Sequence, residues 1–371
     1  MSANKWRHAM STGGGAAAAR KGRSPATMVP SPGDRPQTAA MRPDRRGLAH
    51  AKLLRYAIVL AALLVYPWIA SSFFTFQIGA QSLILGIIAL SLAFLAGYGG
   101  MVSLSQMTIA GIAGYVMAIF GHSAVSQISM EWPWWLASVL AVLLAVGTAT
   151  LIGIVSVRTD GIYTIMITLA IGVAMFYLTQ QNYTVFNGFQ GFSSIFPPQL
   201  GTLNLRDPVP FYYLSLLFAL LSYAAVKYIV RTPFGIALQG TRDNARRMRA
   251  LGFNVAAHRV AAHAFAGLLA GIGGVLLVWY NARISPGTIG TSALINILII
   301  AVIGGLRHPL GAFIGALAFV LLQNFAIDLI DRERFNLIIG GAFLLILVFS
   351  PDGLLGLWHR VRGLLRPARK Q

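Results

Sequence analysis

From Tyr56 onward one pattern governs the chain: an apolar run of about twenty residues, a short polar break, then another run. The runs are 56–76, 78–98, 101–120, 133–157, 161–181, 211–230, 260–280, 289–306, 311–330 and 335–351. A bilayer's hydrocarbon core is crossed by roughly 20 helical residues. Inside lipid the backbone must satisfy its own hydrogen bonds, which a helix does within a single segment. The expected fold is therefore all-α: a polytopic transmembrane helical bundle of about ten spans, or nine or eight if a run is re-entrant. Composition agrees, because charged residues make up only 11% of the chain, whereas a soluble domain carries about 25%. The chain has no cysteine, which excludes disulfides and thiolate metal sites.

The formal charge of +19 invites a nucleic-acid reading, but its placement points to a membrane instead. Residues 1–55 hold 11 basic residues against 2 acidic ones, residues 227–259 hold 7 against 1, and the tail from Asp352 holds 5 against 1. These three segments carry the whole net charge, and each flanks apolar runs. With ten spans and the N-terminus inside, 25 of the 29 Lys and Arg residues fall in inner segments and 4 in outer loops. The positive-inside rule then places both termini in the cytoplasm, and Trp132, Trp134 and Trp135 at the outer interface. Residues 1–50 are rich in Ala, Gly, Pro, Ser and Arg and poor in large aliphatics. They are expected to form a disordered basic cytoplasmic tail, not a signal peptide, since the first apolar run starts too late and is full length. The transmembrane body is 51–357, with a cytoplasmic loop at 231–257 and a second basic cytoplasmic tail at 358–371.

Gly267 and Gly271 form one small-xxx-small pair, and Gly311 and Gly315 another. Small residues let helix backbones approach closely where no hydrophobic effect drives them together. Signals of catalysis are missing. No run centre carries Asp, Glu, Lys or Arg, and there is no H-E-x-x-H, no G-x-S-x-G and no G-x-x-x-x-G-K-[ST] phosphate loop. His263, a lone helical histidine, reads as a packing residue. No enzymatic activity, metal or cofactor of its own is expected, so any ATP that drives transport must be hydrolysed by another subunit.

The segment Pro233–Val255 is polar and basic, yet it lies between apolar runs. Pro233 ends the preceding span because its ring cannot continue the helix ladder. Leu238, Arg242, Ala245, Arg249 and Gly252 recur at helical spacing, with Gly252 as a stop. Such a surface helix can bind anionic lipid through Arg246, Arg247 and Arg249, or dock another protein. Within or beside the spans stand Gln77, Gln81, Ser103, Ser105, Gln106, Thr108, Thr164, Thr168, Asn296 and Asn324. Polar groups in lipid must face helices or a water-filled route. The cluster Ser103, Ser105, Gln106, Thr108, Thr164 and Thr168 is the candidate translocation pathway, with interhelical hydrogen bonding as the alternative role. The break at Gly304–Gly305 and Pro309–Gly311 reads as an interrupted helix.

Five stretches, in order, resemble the LivM-type permease subunit of branched-chain amino-acid ABC transporters. They are "GYGGMVSLSQMTIAGIAGY" (Gly97–Tyr115), "RTDGIYTIMITLAIG" (Arg158–Gly172), "TPFGIALQGTRDNARRMRALGFNV" (Thr232–Val255), "AVIGGLRHPLGAFIGA" (Ala301–Ala316) and "FSPDGLLGLW" (Phe349–Trp358). The resemblance spans roughly residues 80 to 357. It implies an importer in the bacterial inner membrane, assembled from this chain, a second permease subunit, two ABC ATPase subunits and an extracytoplasmic substrate-binding protein. It also implies that Thr232–Val255 is the ATPase-coupling segment, with Arg242, Asp243, Asn244, Leu251 and Gly252 as interface candidates. The substrate implied is a branched-chain or related hydrophobic amino acid. Urea or short amides are the rival within the same class, and an ATP-independent secondary carrier is the rival outside it. At Arg246 and Arg247 the stretch is more basic than the family pattern, which leaves a membrane-lipid contact open as well.

Overall fold

The computed structural model describes residues 45–329, except 160 and 202, together with positions 340, 341, 353, 354 and 356. The basic tails and the last apolar run, 335–351, fall outside the described residues apart from these few positions and the first helical turns from Arg45. The chain divides into two units, Met1–Ala57 and Ile58–Gln371.

The helices follow the apolar runs. They are α1 (Arg45–Ile69), a π-helical turn (Phe74–Ala80) leading directly into α2 (Gln81–Gly99), α3 (Gln106–Phe120), α4 (Trp134–Ser156), α5 (Ile162–Gln181) and the short α6 (Tyr183–Phe186). After these come α7 (Pro208–Ile229), α8 (Pro233–Ala250), α9 (Val255–Asn281), α10 (Thr291–Gly304) and α11 (Pro309–Leu329). Among the described residues, five helices are long and apolar enough to cross a membrane: Phe74–Gly99, α4, α5, α7 and α9. Ala57–Ile69 and α3 are shorter apolar helices. The runs 289–306 and 311–330, expected as two spans, form a pair bent by 117°, which is one broken span or a re-entrant loop. The bend follows from the sequence. Gly305 adopts a φ of +101°, and Pro309 opens α11 where its missing N–H costs nothing.

α2 is the buried axis of the bundle, with Ile84, Ile87, Ile88, Leu90 and Phe94 fully enclosed. Packing around it is close because small residues face each other. Ala137, Ala141, Ala145 and Ala149 make a fully buried stripe along α4. The glycines of α9 meet that stripe: a Cβ added to Gly271 would lie 2.8 Å from Ala145 Cβ, and one added to Gly267 would collide with Ala149. Gly311 and Gly315 press in the same way on the backbone of α10 at Ile300 and Gly304. The two small-xxx-small pairs therefore both lie at helix crossings. On α7, Tyr212 and Tyr213 tie α1 in place by donating to the carbonyls of Leu63 and Leu64 at 3.0 and 2.8 Å.

The two ends of the bundle differ. At one end α8, the carboxyl end of α2 and the break 305–308 come together. At the other end lie two short antiparallel pairs, β1 (Phe192–Ser193) with β4 (Arg283–Ile284), and β2 (Gln199–Leu200) with β3 (Leu203–Asn204). His263 is buried in α9, with Nδ1 3.0 Å from the Arg259 carbonyl and its ring against Gly153 of α4.

Candidate functional site

The basic segment folds as two helical pieces, broken at Asn244. Thr232 caps the first piece, its hydroxyl accepting from the Gly235 N–H, and Pro233 takes the first helical position. Ala237, Leu238 and Thr241 are buried, so this piece is seated on the bundle. Gln239 binds it back to α7 by donating to the Val230 carbonyl at 3.2 Å. At Asn244 the backbone leaves the helix (φ −157°, ψ 94°), and the Asn244 side chain accepts from the Arg247 N–H at 2.9 Å. Asn244 thus ends one piece and caps the next, as a short polar side chain can.

The second piece ends as its sequence dictates. Gly252 takes φ +86°, its N–H reaches the Arg249 carbonyl at 3.0 Å, and the Phe253 N–H reaches the Met248 carbonyl at 3.1 Å. This left-handed cap serves the otherwise unpaired last carbonyls of the helix. Asn254 then caps α9 through the Ala257 N–H at 3.0 Å. The result is a tip, Asn244–Asn254, held by three caps and facing outward. Arg246, Arg247 and Arg249 are exposed on it, and beside them Leu251 is 66% and Phe253 42% exposed. A rigid basic surface with apolar knobs suits a protein groove with acidic edges.

The five interface candidates separate by position. Leu251 and Gly252 lie on the exposed tip. Asn244 shapes it. Arg242 and Asp243 sit at its root, where Arg242 Nε and Nη2 donate to Asp243 Oδ1 at 3.0 and 2.9 Å and Nη1 donates to the Gly97 carbonyl. Arg242 and Asp243 thus form a salt bridge. Sequence reading missed Phe253, although an aromatic directly after the stop glycine was a usable signal.

The pathway candidates Ser103, Ser105, Gln106, Thr108, Thr164 and Thr168 are all buried. Most are joined to one another. Ser103 and Ser105 hydroxyls lie 2.9 Å apart, Ser91 Oγ donates to Gln106 Oε1 at 2.9 Å, and the Leu104 N–H donates to Thr168 Oγ1 at 3.0 Å. Thr168 and Thr164 donate in turn to the carbonyls of Thr164 and Thr159 at 2.9 and 3.0 Å. These bonds knit the loop between α2 and α3 onto α5. Gln106 Nε2 and Thr108 Oγ1 have no partner among the described residues.

The open space lies next to this knot. A cavity of about 370 Å³ is lined by the polar side chains Gln81, Asn281, Ser285, Thr288, Asn296 and Gln323, and by Met107, Ile297, Ile300 and Phe319 among others. Gln81 Oε1 is buried without a partner among the described residues. All the polar lining groups are neutral, so the cavity suits a solute that carries no net charge. Sequence reading named Gln81 and Asn296. Asn281 closes α9 and Ser285 and Thr288 lie just after it, where polar residues look like ordinary loop. Asn324 donates to the Val320 carbonyl of its own helix at 2.8 Å, and Gln77 accepts from Tyr280 OH at 3.1 Å. A second cavity of about 440 Å³ has Phe73, Phe76, Phe196, Phe211 and Tyr280 in its wall, with the Arg206 guanidinium 4.1 Å above the Phe196 ring. Among the described residues no group of three or more His, Asp or Glu is placed to hold a metal ion.

Residues 74–348 match the family described as "Branched-chain amino acid transport system / permease component". The chain is 25% identical to the high-affinity branched-chain amino acid transport system permease protein LivM of Escherichia coli over 329 residues, covering 81% of this chain and 75% of that protein. It is 29% identical to the ribose import permease protein RbsC of Haemophilus influenzae, covering 67% of this chain and 78% of that protein. It is 25% identical to the nucleoside ABC transporter permease protein NupC of Lactococcus lactis, covering 62% and 74%. No solved structure matches.

Proposed function

Because the chain belongs to the family of branched-chain amino acid transport permease components, we propose that it is the membrane subunit through which an ATP-binding-cassette importer passes branched-chain or related hydrophobic amino acids. It is a multi-pass inner-membrane protein with several apolar helices able to span the bilayer. Its partners in this reading are two ATPase subunits, a second permease subunit and an extracytoplasmic binding protein. Residues 1–50 and 358–371 form cytoplasmic tails on either side of a permease domain at 51–357.

The observation that carries the reading is the capped tip Asn244–Asn254. A chain with no phosphate loop must take its energy from outside, and this exposed, rigid, basic knob is built to receive a partner's motion. Leu251, Phe253 and the three arginines contact the ATPase, while Asn244 and Gly252 set the shape of the contact. The cavity between α2, α9, α10 and α11 contributes to the route. Its neutral amides and hydroxyls suit a zwitterion, whose two charges cancel, and its aliphatic wall suits a hydrocarbon side chain. The hydrogen-bonded set from Ser103 to Thr168 forms the firm edge of that route.

Uptake of radiolabelled leucine, isoleucine and valine by cells with and without the gene tests the function. Gene-dependent uptake that collapses when cellular ATP is depleted, but survives loss of the ion gradients, is the expected result. Uptake that follows an ion gradient instead would establish a secondary carrier, and uptake of urea alone would move the substrate to the short amides.

A further inference from the structure

We propose that Arg242 is a positioning residue, a strut that carries movement of α8 through the carboxyl end of α2 to the break between α10 and α11. The inference rests on the coupling role proposed for α8 and names the route inside the chain that serves it. Arg242 ends the seated piece of α8, immediately before the backbone turns at Asn244. Its Nη1 donates to the carbonyl of Gly97. That carbonyl belongs to the last turn of α2, where helical partners run out and a cation is favoured by the helix dipole. Asp243 grips the same guanidinium at Nε and Nη2, so the fork cannot swing away without breaking two charge-assisted bonds.

The stem of Arg242 is held as well. Gly100 caps α2 at φ +68°, and a Cβ there would lie 2.5 Å from Arg242 Cγ and 3.5 Å from its Cα. Only glycine allows the arginine to lie flat across the end of α2. One turn back, Leu238 is fully buried, with its Cδ1 3.7 Å from where a Cβ on Gly99 would stand. The seated piece of α8 therefore meets α2 at Gly97, Gly99 and Gly100 in succession.

Gly97 is pressed from its other side. A Cβ there would collide with the Leu306 carbonyl oxygen and would lie 3.6 Å from Arg307 Cα. Leu306 is in the break 305–308, across which α10 and α11 bend by 117°. α10 carries Asn296, Ile297 and Ile300 of the polar cavity, and α11 carries Phe319 and Gln323. The chain of contact is thus guanidinium to backbone to backbone, with no long flexible side chain in it beyond the pinned arginine. Close-packed contacts of this kind pass displacement on instead of absorbing it. α8 has other attachments, Gln239 to the end of α7 and Phe234 stacked on His258 of α9, but neither touches the break between α10 and α11.

The test uses the complete transporter purified from native membranes and placed in liposomes with its binding protein, measuring leucine uptake and ATP hydrolysis together. Arg242→Ala should leave hydrolysis within about twofold while uptake per ATP falls roughly tenfold, and Arg242→Lys, which keeps one donor for the Gly97 carbonyl, should restore part of the loss. Unchanged uptake per ATP in Arg242→Ala would overturn the strut. If that variant does not accumulate, Arg242→Met, which keeps the stem across Gly100 but has no donor for the Gly97 carbonyl, decides in its place: uncoupled hydrolysis supports the strut and normal coupling refutes it. A cysteine at Leu251, cross-linked in the otherwise parental complex, separates this outcome from failure of the coupling reading. If the cysteine reaches no ATPase, α8 is not the coupling element, whatever Arg242 does.

Discussion

Replacing Asn244 and Gly252 together by alanine should loosen the tip of α8 without disturbing the bundle. The Asn244 side chain caps the piece Ala245–Ala250 by accepting the Arg247 N–H at 2.9 Å, and losing such a cap costs about 1 kcal/mol. Gly252 stands at φ +86° with nothing within 4 Å of an added Cβ, so alanine there meets no clash and costs about 1 kcal/mol of backbone strain alone. The sum of about 2 kcal/mol corresponds to roughly a thirtyfold shift toward the unravelled tip. So short a helix has little stability of its own, because the nucleation cost is spread over few hydrogen bonds. Both residues are exposed, so the amount of inserted protein should not change. Hydrogen exchange at the amides of Arg247 and Phe253 should accelerate by about the same thirtyfold, with uptake falling in parallel. Unchanged exchange at these two amides would refute the capping argument. Faster exchange with normal uptake would refute the claim that tip shape matters to transport.

Gly267→Ala should lower the melting temperature in detergent, since overpacking a close crossing costs roughly 1–3 kcal/mol, and Ala149→Gly in the same chain should recover part of it; no recovery would show that the α4–α9 contact is not what fails. Asn296→Leu should reduce uptake about tenfold, the value of one hydrogen bond to the solute lost from a half-buried side chain, while insertion and ATPase association stay normal. Uptake equal to the parent would remove the cavity from the route. Deleting residues 2–44 should leave uptake unchanged, and its loss would assign that segment a role in insertion or assembly.

The bundle was readable because lipid leaves a chain few choices. The apolar runs among the described residues are helical, and the glycine spacings already marked close crossings, as Gly267 and Gly271 against the α4 alanine stripe demonstrate. The caps of the tip were partly readable too, since Pro233 and Gly252 carry their conformations with them. What sequence spacing could not supply was the third dimension. Ser103 to Thr168 look like a pathway as a set, and the spacing does not show which of their hydrogen bonds go to neighbours and which groups, Gln106 Nε2 and Thr108 Oγ1, are left over; Asn281, Ser285 and Thr288 look like loop residues until the chain folds back and turns them into a cavity. In the same way Arg242 reads from the sequence as a candidate for the ATPase interface. Only the approach of Gly97, some 145 positions away in sequence, gives it a different task.

The most direct test of the account is a cysteine placed at Leu251, cross-linked in native membranes and followed by mass spectrometry of the product. A covalent adduct to an ATP-binding-cassette ATPase is expected at the tip and should be absent from a control cysteine at the exposed Leu143 of α4. An intact, abundant protein whose Leu251 cysteine links to no ATPase, under conditions that hold such complexes together, would contradict it.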